Sequence, residues 1–217
     1  GVSEEVLGRI ADSGFDVVTK IGGEPSELAR GDLVGQLRES LDRLNRSKLA
    51  GVLLHNASVL TCGEGGEVCE GLLQCKALGL VEKVGVSVYS PDELEEVFTK
   101  FTPDIIQVPY NALDRRFEES GWLRSMKDIG VEVQCRSVFL QGLLIMEPDS
   151  RPQSFAQWQH IFDEWDSFVE NSPQSRVACA LQFALQNQHI DTVLVGVQTA
   201  IELEEILAEA SVSIAST

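Results

Sequence analysis

Six short apolar runs of this sequence each end on a polar side chain or a glycine. These residues are Lys20, His55, Ser87, Gln107, Arg136 with Ser137, and Gly196. If the runs are strands of a (β/α)₈ barrel, their carboxyl ends converge and place a lysine, a histidine, an amide and a guanidinium around one pocket. Histidine transfers protons near neutral pH, so His55 is a candidate catalytic residue. The alternative is that His55 is a hydrogen-bonded residue at a strand end, without a chemical role.

The apolar runs predict the strands that position these residues. They are continuous rather than alternating, which is typical of strands buried on both faces of a parallel sheet. The predicted strands are "FDVVTKI" (15–21), "AGVLLHN" (50–56), "VEKVGVS" (81–87), "DIIQVPY" (104–110), "VEVQCRS" (131–137) and "DTVLVGV" (191–197).

Segments of helical period separate the predicted strands. Residues 31–46, 67–80 and 90–101 have apolar side chains at the i, i+3/i+4 spacing of amphipathic helices. In the first segment, one stripe is formed by Leu33, Leu37, Leu41 and Leu44. Ser90 followed by Pro91 predicts a capped helix start.

The alternation of strands and helices predicts an α/β fold with right-handed crossovers. No linker rich in Gly, Ser or Pro divides the units, so we expect one domain over residues 1–217. The longest interruption, residues 139–172, predicts a loop with an extra helix, in which Trp158 and Trp165 belong to a packed face.

Composition excludes several classes of partner. The net charge of −17 repels nucleic acid and anionic membranes. No apolar run approaches the roughly 18 residues of a membrane span, and the opening "GVSEEVLGRI" reads as a helix start rather than a signal peptide. We therefore expect a cytoplasmic protein.

The five cysteines form no CxxC pair and no spacing typical of a zinc site. Cys135 and Cys179 lie in apolar surroundings, which favours reduced, buried thiols. Cys62, Cys69 and Cys75 are interpreted as a chance cluster on a loop and a helix. We predict no metal site.

Six motifs of the chain, in order, resemble the successive motifs of the aldo/keto reductases. They are "VVTKIG", "GVLLHN", "VGVSVYSPDELEEV", "IIQVPYNALDRRFEE", "CRSVFLQGLL" and "VLVGVQTAIELEEI". The opening "SEEVLGRI" also resembles the second helix of that family. The resemblance implies a TIM (β/α)₈ barrel, incomplete here with about six βα units. It also implies hydride transfer from NADPH, or from NADH, to a small aldehyde or ketone.

The resemblance assigns roles to individual residues. Lys20 and His55 match two members of the family's catalytic tetrad of Asp, Tyr, Lys and His, in which the tyrosine donates the proton. The positions that match cofactor contacts are Ser87, Gln107, Arg136, Ser137, Leu140, Gln141, Gly142, Gly196, Val197, Gln198 and Thr199. Among these, Gly196 to Thr199 match the turn that opens a helix whose N-terminus receives the adenosine phosphate.

The chain departs from the family pattern at several positions. The tetrad aspartate and tyrosine precede the helix that "SEEVLG" resembles, so we interpret the chain as N-terminally truncated, without the first two strands and first helix. It is either a fragment of a longer reductase or a natural truncated protein. Val88, Gln198 and Ile206 stand where the family has an asparagine, a basic residue for the 2′-phosphate and an adenine-contacting asparagine.

Three functions remain open at this point. The first is an aldo/keto reductase in which Lys20 and His55 serve proton transfer. The second is an inactive family member that binds a nucleotide or a protein. The third is a barrel that binds another phosphorylated ligand at the Gly196 helix. Tyr89 and Tyr110 are not obvious replacements for the proton donor, and core packing is the expected role of Tyr110.

An incomplete barrel predicts self-association. Six strands cannot close, so the strands at 15–21 and 192–195 each leave an unpaired edge. We expect a homo-oligomer through these edges, measured as a mass above 23.8 kDa by light scattering. A monomer with cooperative unfolding would contradict this expectation.

Overall fold

The computed structural model describes residues 2–10, 14–23, 28, 32–61, 63 and 65–211 of the chain. Six strands form one parallel sheet whose spatial order is the chain order. The strands are β1 (Val18–Ile21), β2 (Leu49–Leu54), β3 (Val81–Ser87), β4 (Ile105–Pro109), β5 (Glu132–Arg136) and β6 (Thr192–Val193). Consecutive parallel neighbours require a crossover after each strand, which confirms the predicted α/β class with six strands.

Helices occupy the connections between the strands. In chain order they are α1 (Val2–Ile10), α2 (Leu33–Arg43), α3 (Ser58–Thr61), α4 (Gly65–Ala77), α5 (Pro91–Phe98), α6 (Arg116–Glu119), α7 (Trp122–Asp128), α8 (Gln159–Glu170), α9 (Arg176–Leu185) and α10 (Ala200–Ala210). Short 3₁₀ turns lie at Leu140–Gly142, Pro148–Ser150 and Gln153–Trp158.

The predicted helices are confirmed, but the prediction that Trp158 belongs to a packed helix face is wrong. The leucine stripe of α2 is buried as expected. At the start of α5, Ser90 Oγ accepts the backbone N–H of Glu93 at 3.2 Å, and Pro91 is the first helical residue. The extra helix is α8, where Trp165 is buried, whereas Trp158 lies in the preceding 3₁₀ turn and is 44% exposed.

Strand bounds agree in the middle of the sheet and differ at its ends. β3 has the predicted bounds, but the strand predicted at 191–197 contains only Thr192–Val193, which pair with Gln134 and Cys135. The physical reason is that the neighbouring strand stops. After Arg136, Ser137 has a φ of 61°, which ends the extended backbone of β5 shortly after Cys135, whose carbonyl accepts the Leu194 N–H at 2.8 Å.

The chain forms two compact units. Unit 1 comprises Gly1–Val108 and Ser125–Glu132, and unit 2 comprises Pro109–Arg124 and Val133–Thr217. In unit 1, the buried core includes Leu37, Val52, Leu54, Leu72, Val84, Val86, Leu94 and Ile106. In unit 2, it includes Tyr110, Phe117, Leu123, Val133, Leu144, Phe162, Trp165 and Leu181. The single domain expected from the sequence stays a prediction.

The cysteines are interior side chains where the structure describes them. Cys69, Cys75, Cys135 and Cys179 are buried free thiols, and Cys62 lies outside the described residues. Burial raises the pKa of Cys135 to about 12 and that of Cys75 to about 11, so these two thiols stay protonated and unreactive at neutral pH. Among the described helices, none combines the length and apolar character needed to cross a membrane.

A single carboxylate fastens α1 to unit 1. Glu4 accepts hydrogen bonds from Thr19 Oγ1 at 2.6 Å and from Arg43 Nε at 2.7 Å. Burial by itself would raise the pKa of Glu4, but the bonds from Thr19 and Arg43 outweigh it and lower this pKa to about 2. Since α1 buries no side chain of its own, these polar contacts are its principal attachment.

Glu4→Gln tests this attachment through pH. A carboxyl whose folded pKa is lowered contributes stability above its unfolded pKa and loses that contribution as pH falls toward the folded value. We expect the variant to lose about 1.5 kcal/mol of unfolding free energy at pH 7. The deficit should shrink between pH 5 and about 2, as measured by urea unfolding. The matched control is Glu5→Gln on the exposed side of α1, and an equal loss in both variants would contradict the assignment.

Candidate active site

Four polar side chains of unit 1 lie at the carboxyl ends of neighbouring strands. Lys20 is in the last half of β1, His55 directly follows β2, Ser87 ends β3, and Gln107 is in β4. Ser87 pairs with Gln107 in the sheet register, and the backbone N–H of His55 donates to the Ile21 carbonyl at 2.9 Å. The structure thus brings the unit 1 candidates to one edge of the sheet.

The register also places these side chains on one face. One aligned row across the four strands consists of Lys20, Leu53, Gly85 and Ile105. His55, Ser87 and Gln107 each lie two residues further along their strand. Because side chains alternate between faces with a period of two, both rows share a face.

The Lys20 side chain reaches from its own row, which contains Gly85 and Ile105, to the row that contains Gln107. Its Nζ donates to Gln107 Oε1 at 2.5 Å. Gln107 and Ser87 are buried, with 4% and 1% exposure, whereas Lys20 is exposed. The contact therefore holds an ammonium group beside two buried polar side chains at the edge of the sheet.

Gly85 allows β3 and β4 to approach closely beneath these side chains. A Cβ atom on Gly85 would lie 1.7 Å from the Ile105 carbonyl oxygen. No side chain fits at that distance, so the spacing of the two strands depends on glycine here. The same spacing sets the neighbouring pair Ser87 and Gln107.

His55 faces a cavity of about 360 Å³. The cavity is lined by Ile21, Gly22, Gly23, Leu28, His55, Asn56 and Val59. A Cβ on Gly22 would be 3.4 Å from the His55 ring, so the imidazole lies against the glycine backbone. Asn56 Oδ1 accepts the Ser58 N–H at 2.9 Å, which turns the chain away after β2. His55 is exposed, so a ligand in the cavity can reach it.

In unit 2, Arg136 and Ser137 mark the end of β5. Arg136 Nη1 donates to Ser137 Oγ at 3.3 Å, and the Arg136 carbonyl accepts the Tyr110 N–H at 3.0 Å. Asn111, which is fully buried, donates its side-chain amide to the Ser137 carbonyl at 3.0 Å. The sequence analysis missed Asn111, because a buried amide has no signature in a single sequence.

The loop after β5 has an unusual backbone. Ser137, Leu140 and Gln141 have φ values of 61°, 47° and 54°, and Gly142 has a φ of 91°. A side-chain-bearing residue in this region costs roughly 1 kcal/mol. Three such residues within five positions persist only if surrounding contacts enforce the shape. Strain of this kind is concentrated at binding sites, which agrees with the cofactor role that the resemblance implies for Leu140, Gln141 and Gly142.

The turn from Gly196 to Thr199 is exposed and lies beyond the end of β6. Thr199 Oγ1 accepts the Glu202 N–H at 3.2 Å, and Glu202 Oε2 accepts the Gln198 N–H at 2.8 Å. This capping box satisfies two helix-end donors with protein groups. A carboxylate therefore already lies where the resemblance places the adenosine phosphate. The sequence signal, Thr-x-x-Glu before an apolar run, was available but was not recognised.

The tyrosines and two arginines behave as structural residues. Tyr110 is 2% exposed, as expected for a core side chain, and its hydroxyl accepts from Asn187 Nδ2 at 2.9 Å. Burial raises the pKa of the Tyr110 hydroxyl above its ordinary value. Tyr89 is 50% exposed just after β3. Each of the two arginines forms an ion pair with a nearby acid, Arg115 with Glu118 at 2.9 Å and Arg116 with Asp114 at 2.8 Å.

The sequence model of the aldo/keto reductase family matches residues 1–216 of the chain. The chain belongs to the aldo/keto reductase family. Membership of this family supports an oxidoreductase function. The predicted family is thereby confirmed.

Individual relatives agree with this assignment. L-glyceraldehyde 3-phosphate reductase of Escherichia coli O157:H7 is 25% identical over 242 residues, which cover 94% of this chain and 69% of the relative. The aldo-keto reductase AKR11C1 from Bacillus halodurans, in its holo form, has a TM-score of 0.78 at 20% identity, covering 99% of this chain and 74% of that one. Glycerol dehydrogenase AKR11B4 from Gluconobacter oxydans has a TM-score of 0.67 at 19% identity, with 99% and 80% covered. The two structural similarities confirm the TIM-barrel type of fold.

Gly85→Ala tests whether strand spacing sets the site. The added methyl group clashes with the Ile105 carbonyl, so we expect a loss of about 3 kcal/mol in unfolding free energy. Gly66→Ala is the control, because Gly66 is an exposed residue of α4 with open space around its Cβ position. That change should stabilise the protein by up to about 1 kcal/mol. Chemical denaturation measures both, and equal effects would refute the role of Gly85.

Proposed function

We propose that this aldo/keto reductase transfers hydride from NAD(P)H to a small aldehyde or ketone. The observation that carries the proposal is the contact between Lys20 Nζ and Gln107 Oε1 at 2.5 Å. The contact brings a cation to Gln107, on the face of the sheet to which the register also assigns His55 and Ser87. This arrangement supports a single site in unit 1 for the residues that match the family's proton-transfer and nicotinamide positions.

The residues suit the cofactor by their chemistry. Ser87 and Gln107 present buried hydroxyl and amide groups of the kind that hold a carboxamide. Bound NAD(P)H would supply the hydride to the carbonyl carbon. Lys20 and His55 would orient the carbonyl group and assist proton delivery to its oxygen. In unit 2, the residues that match the family's other cofactor contacts are Arg136, Ser137, the loop Leu140–Gly142 and the turn from Gly196 to Thr199.

One observation supports a second candidate function, nucleotide or protein binding without catalysis. A reductase of this family uses a tyrosine as proton donor, and the sequence has two tyrosines. Tyr110 is buried and bonded to Asn187, and Tyr89 is half exposed beyond β3. Neither is placed to replace that tyrosine. The second candidate is therefore binding of a nucleotide or a protein without catalysis.

The names of two relatives suggest which substrates to test. One is a reductase of L-glyceraldehyde 3-phosphate and another a dehydrogenase of glycerol, so three-carbon hydroxy-carbonyl compounds are the first class to examine. The net charge of −17 repels phosphorylated substrates. We therefore expect an unphosphorylated substrate to react faster than its phosphorylated counterpart, for example glyceraldehyde faster than glyceraldehyde 3-phosphate. The buried free thiols agree with the proposed cytoplasmic location.

The decisive experiment titrates the chain with NADPH and with NADH, following nicotinamide fluorescence, before carbonyl turnover is measured. Saturable binding with turnover supports the reductase. Saturable binding without turnover supports the second candidate, and no binding of either nucleotide excludes both nucleotide functions.

Lys20→Met should lower kcat/KM by about 100-fold or more, because proton-transfer groups contribute that much. The expected change in the dissociation constant of the cofactor is small. Lys48→Met is the matched control, since Lys48 is an exposed lysine that pairs with Glu82. His55→Gln, with the exposed His160→Gln as its control, should behave in the same way. Unchanged turnover in both site variants would contradict the assigned roles.

Glu202→Gln should improve NADPH binding relative to NADH binding. The Glu202 carboxylate occupies the Gln198 N–H and repels an additional phosphate. Removing its charge should lower the NADPH dissociation constant about fivefold, with a smaller change for NADH. Glu205→Gln, on the same helix, controls for net charge. An equal effect in both variants, or on both cofactors, would show that Glu202 does not select the cofactor.

A further inference from the structure

We propose that Arg151 and Trp165 are positioning residues that hold the loop after β5 in its cofactor-binding conformation. The proposal rests on the proposed function, because Leu140, Gln141 and Gly142 of that loop are the residues proposed to contact the cofactor. We call the set formed by Arg151, Trp165 and Asp166 the loop clamp. All three belong to unit 2.

The clamp binds two consecutive carbonyl groups directly after the proposed cofactor residues. Arg151 Nε donates to the Leu143 carbonyl at 3.1 Å. Trp165 Nε1 donates to the Leu144 carbonyl at 2.9 Å, and this bond is buried. Two side-chain donors on adjacent carbonyls fix both the position and the direction of the chain that leaves the loop.

Arg151 is itself held rigidly. Its Nη1 and Nη2 donate to the two Asp166 oxygens at 2.7 and 2.6 Å, and the two side chains are only 3% and 9% exposed. Arg176 donates to the same carboxylate at 2.6 Å. The Arg151 guanidinium also lies 4.6 Å from the centre of the Phe162 ring. Its Nε, which belongs to the same rigid plane, therefore points at the loop from a fixed position.

Asp166 is suited to anchor such a clamp. The hydrogen bond from Arg151 is the main reason that the pKa of Asp166 lies below its usual value. The carboxylate therefore stays charged across the neutral range. Trp165 and Asp166 are neighbours on α8. The same turn of helix therefore orients both Trp165, which donates to the Leu144 carbonyl, and Asp166, which anchors Arg151, the donor to the Leu143 carbonyl.

The loop needs these external contacts. Ser137, Leu140 and Gln141 all have left-handed backbone angles, which side-chain-bearing residues leave when they are unrestrained. Asn111 holds the start of the loop through the Ser137 carbonyl at 3.0 Å. The clamp holds its end. Between these anchors the backbone closes its own 3₁₀ turns, with the Leu143 N–H bonded to the Leu140 carbonyl at 3.1 Å.

Two conservative substitutions separate the clamp from general stability. Arg151→Lys keeps a cation beside Asp166 but removes the Nε donor to Leu143. Its matched control is Arg176→Lys, which changes the other guanidinium on the same carboxylate. Trp165→Phe keeps an aromatic ring but removes the N–H that reaches Leu144. Its control is Trp122→Phe, which alters a tryptophan of α7 outside the clamp.

The first readout is amide hydrogen exchange of the protein without cofactor. The reporting amides are those of Leu143, Leu144, Ile145 and Met146, which bond to carbonyls within the loop. We expect both clamp variants to exchange about fivefold faster at these amides, the effect of losing one hydrogen bond. The controls should exchange at the rate of the unaltered protein.

The second readout is the dissociation constant for NADPH and NADH, measured together with the midpoint of thermal unfolding. The clamp variants should bind about fivefold more weakly, whereas each control with a similar loss of thermal stability should bind normally. That difference separates positioning from a merely structural role.

Three outcomes would overturn the proposal. Normal exchange in both clamp variants would show that the side chains do not hold the loop. Faster exchange with unchanged affinity would show that the loop is held but does not position the cofactor. If the unaltered protein binds neither nucleotide, the proposed function fails and the cofactor role of the clamp fails with it, yet the exchange experiment still reports separately whether the loop is held.

Discussion

The parallel, in-register pairing of β1 to β4 is the constraint on which the proposed chemistry depends. The register aligns Lys20 with Gly85 and Ile105 across the sheet, and two residues further it aligns Ser87 with Gln107. A shift by one residue would send these side chains to the opposite face. The close approach at Gly85 keeps the strands at the spacing in which a lysine side chain can reach a buried amide.

Unit 2 contains a strained loop, whose conformation must be maintained by contacts from outside the loop. Left-handed residues after β5 raise the energy of the backbone, and buried charges around Asp166 would be costly without partners. One side chain meets both costs, since the Arg151 guanidinium neutralises Asp166 and also donates to the Leu143 carbonyl of the loop. A buried ion pair is weak evidence for stability, but it is well suited to hold one conformation.

Negative charge disfavours the binding of phosphate groups, both through the net charge of the whole chain and through one carboxylate at the turn before α10. The net charge of −17 acts on any anion that approaches. Locally, Glu202 binds the Gln198 N–H in the turn that matches the adenosine-phosphate position, and Gln198 replaces a basic residue there. The proposed cofactor binding would therefore depend mainly on local hydrogen bonds and on the shape of the loop after β5.

The sequence by itself determined the α/β class, the family, the order of strands and the capped start of α5. These features depend on local periodicity and on residue types at short spacing, which one chain displays directly. It also singled out Lys20, His55, Ser87 and Gln107 as candidate site residues, because strand ends are visible as breaks in apolar runs, and their roles stay predictions. Only the tertiary structure decided that β6 is two residues long, that Lys20 reaches Gln107, and that Arg151 and Trp165 bind the carbonyls of Leu143 and Leu144. Each of these depends on how a neighbouring segment ends or approaches, and contacts between residues distant in the chain leave no periodic pattern in a single sequence.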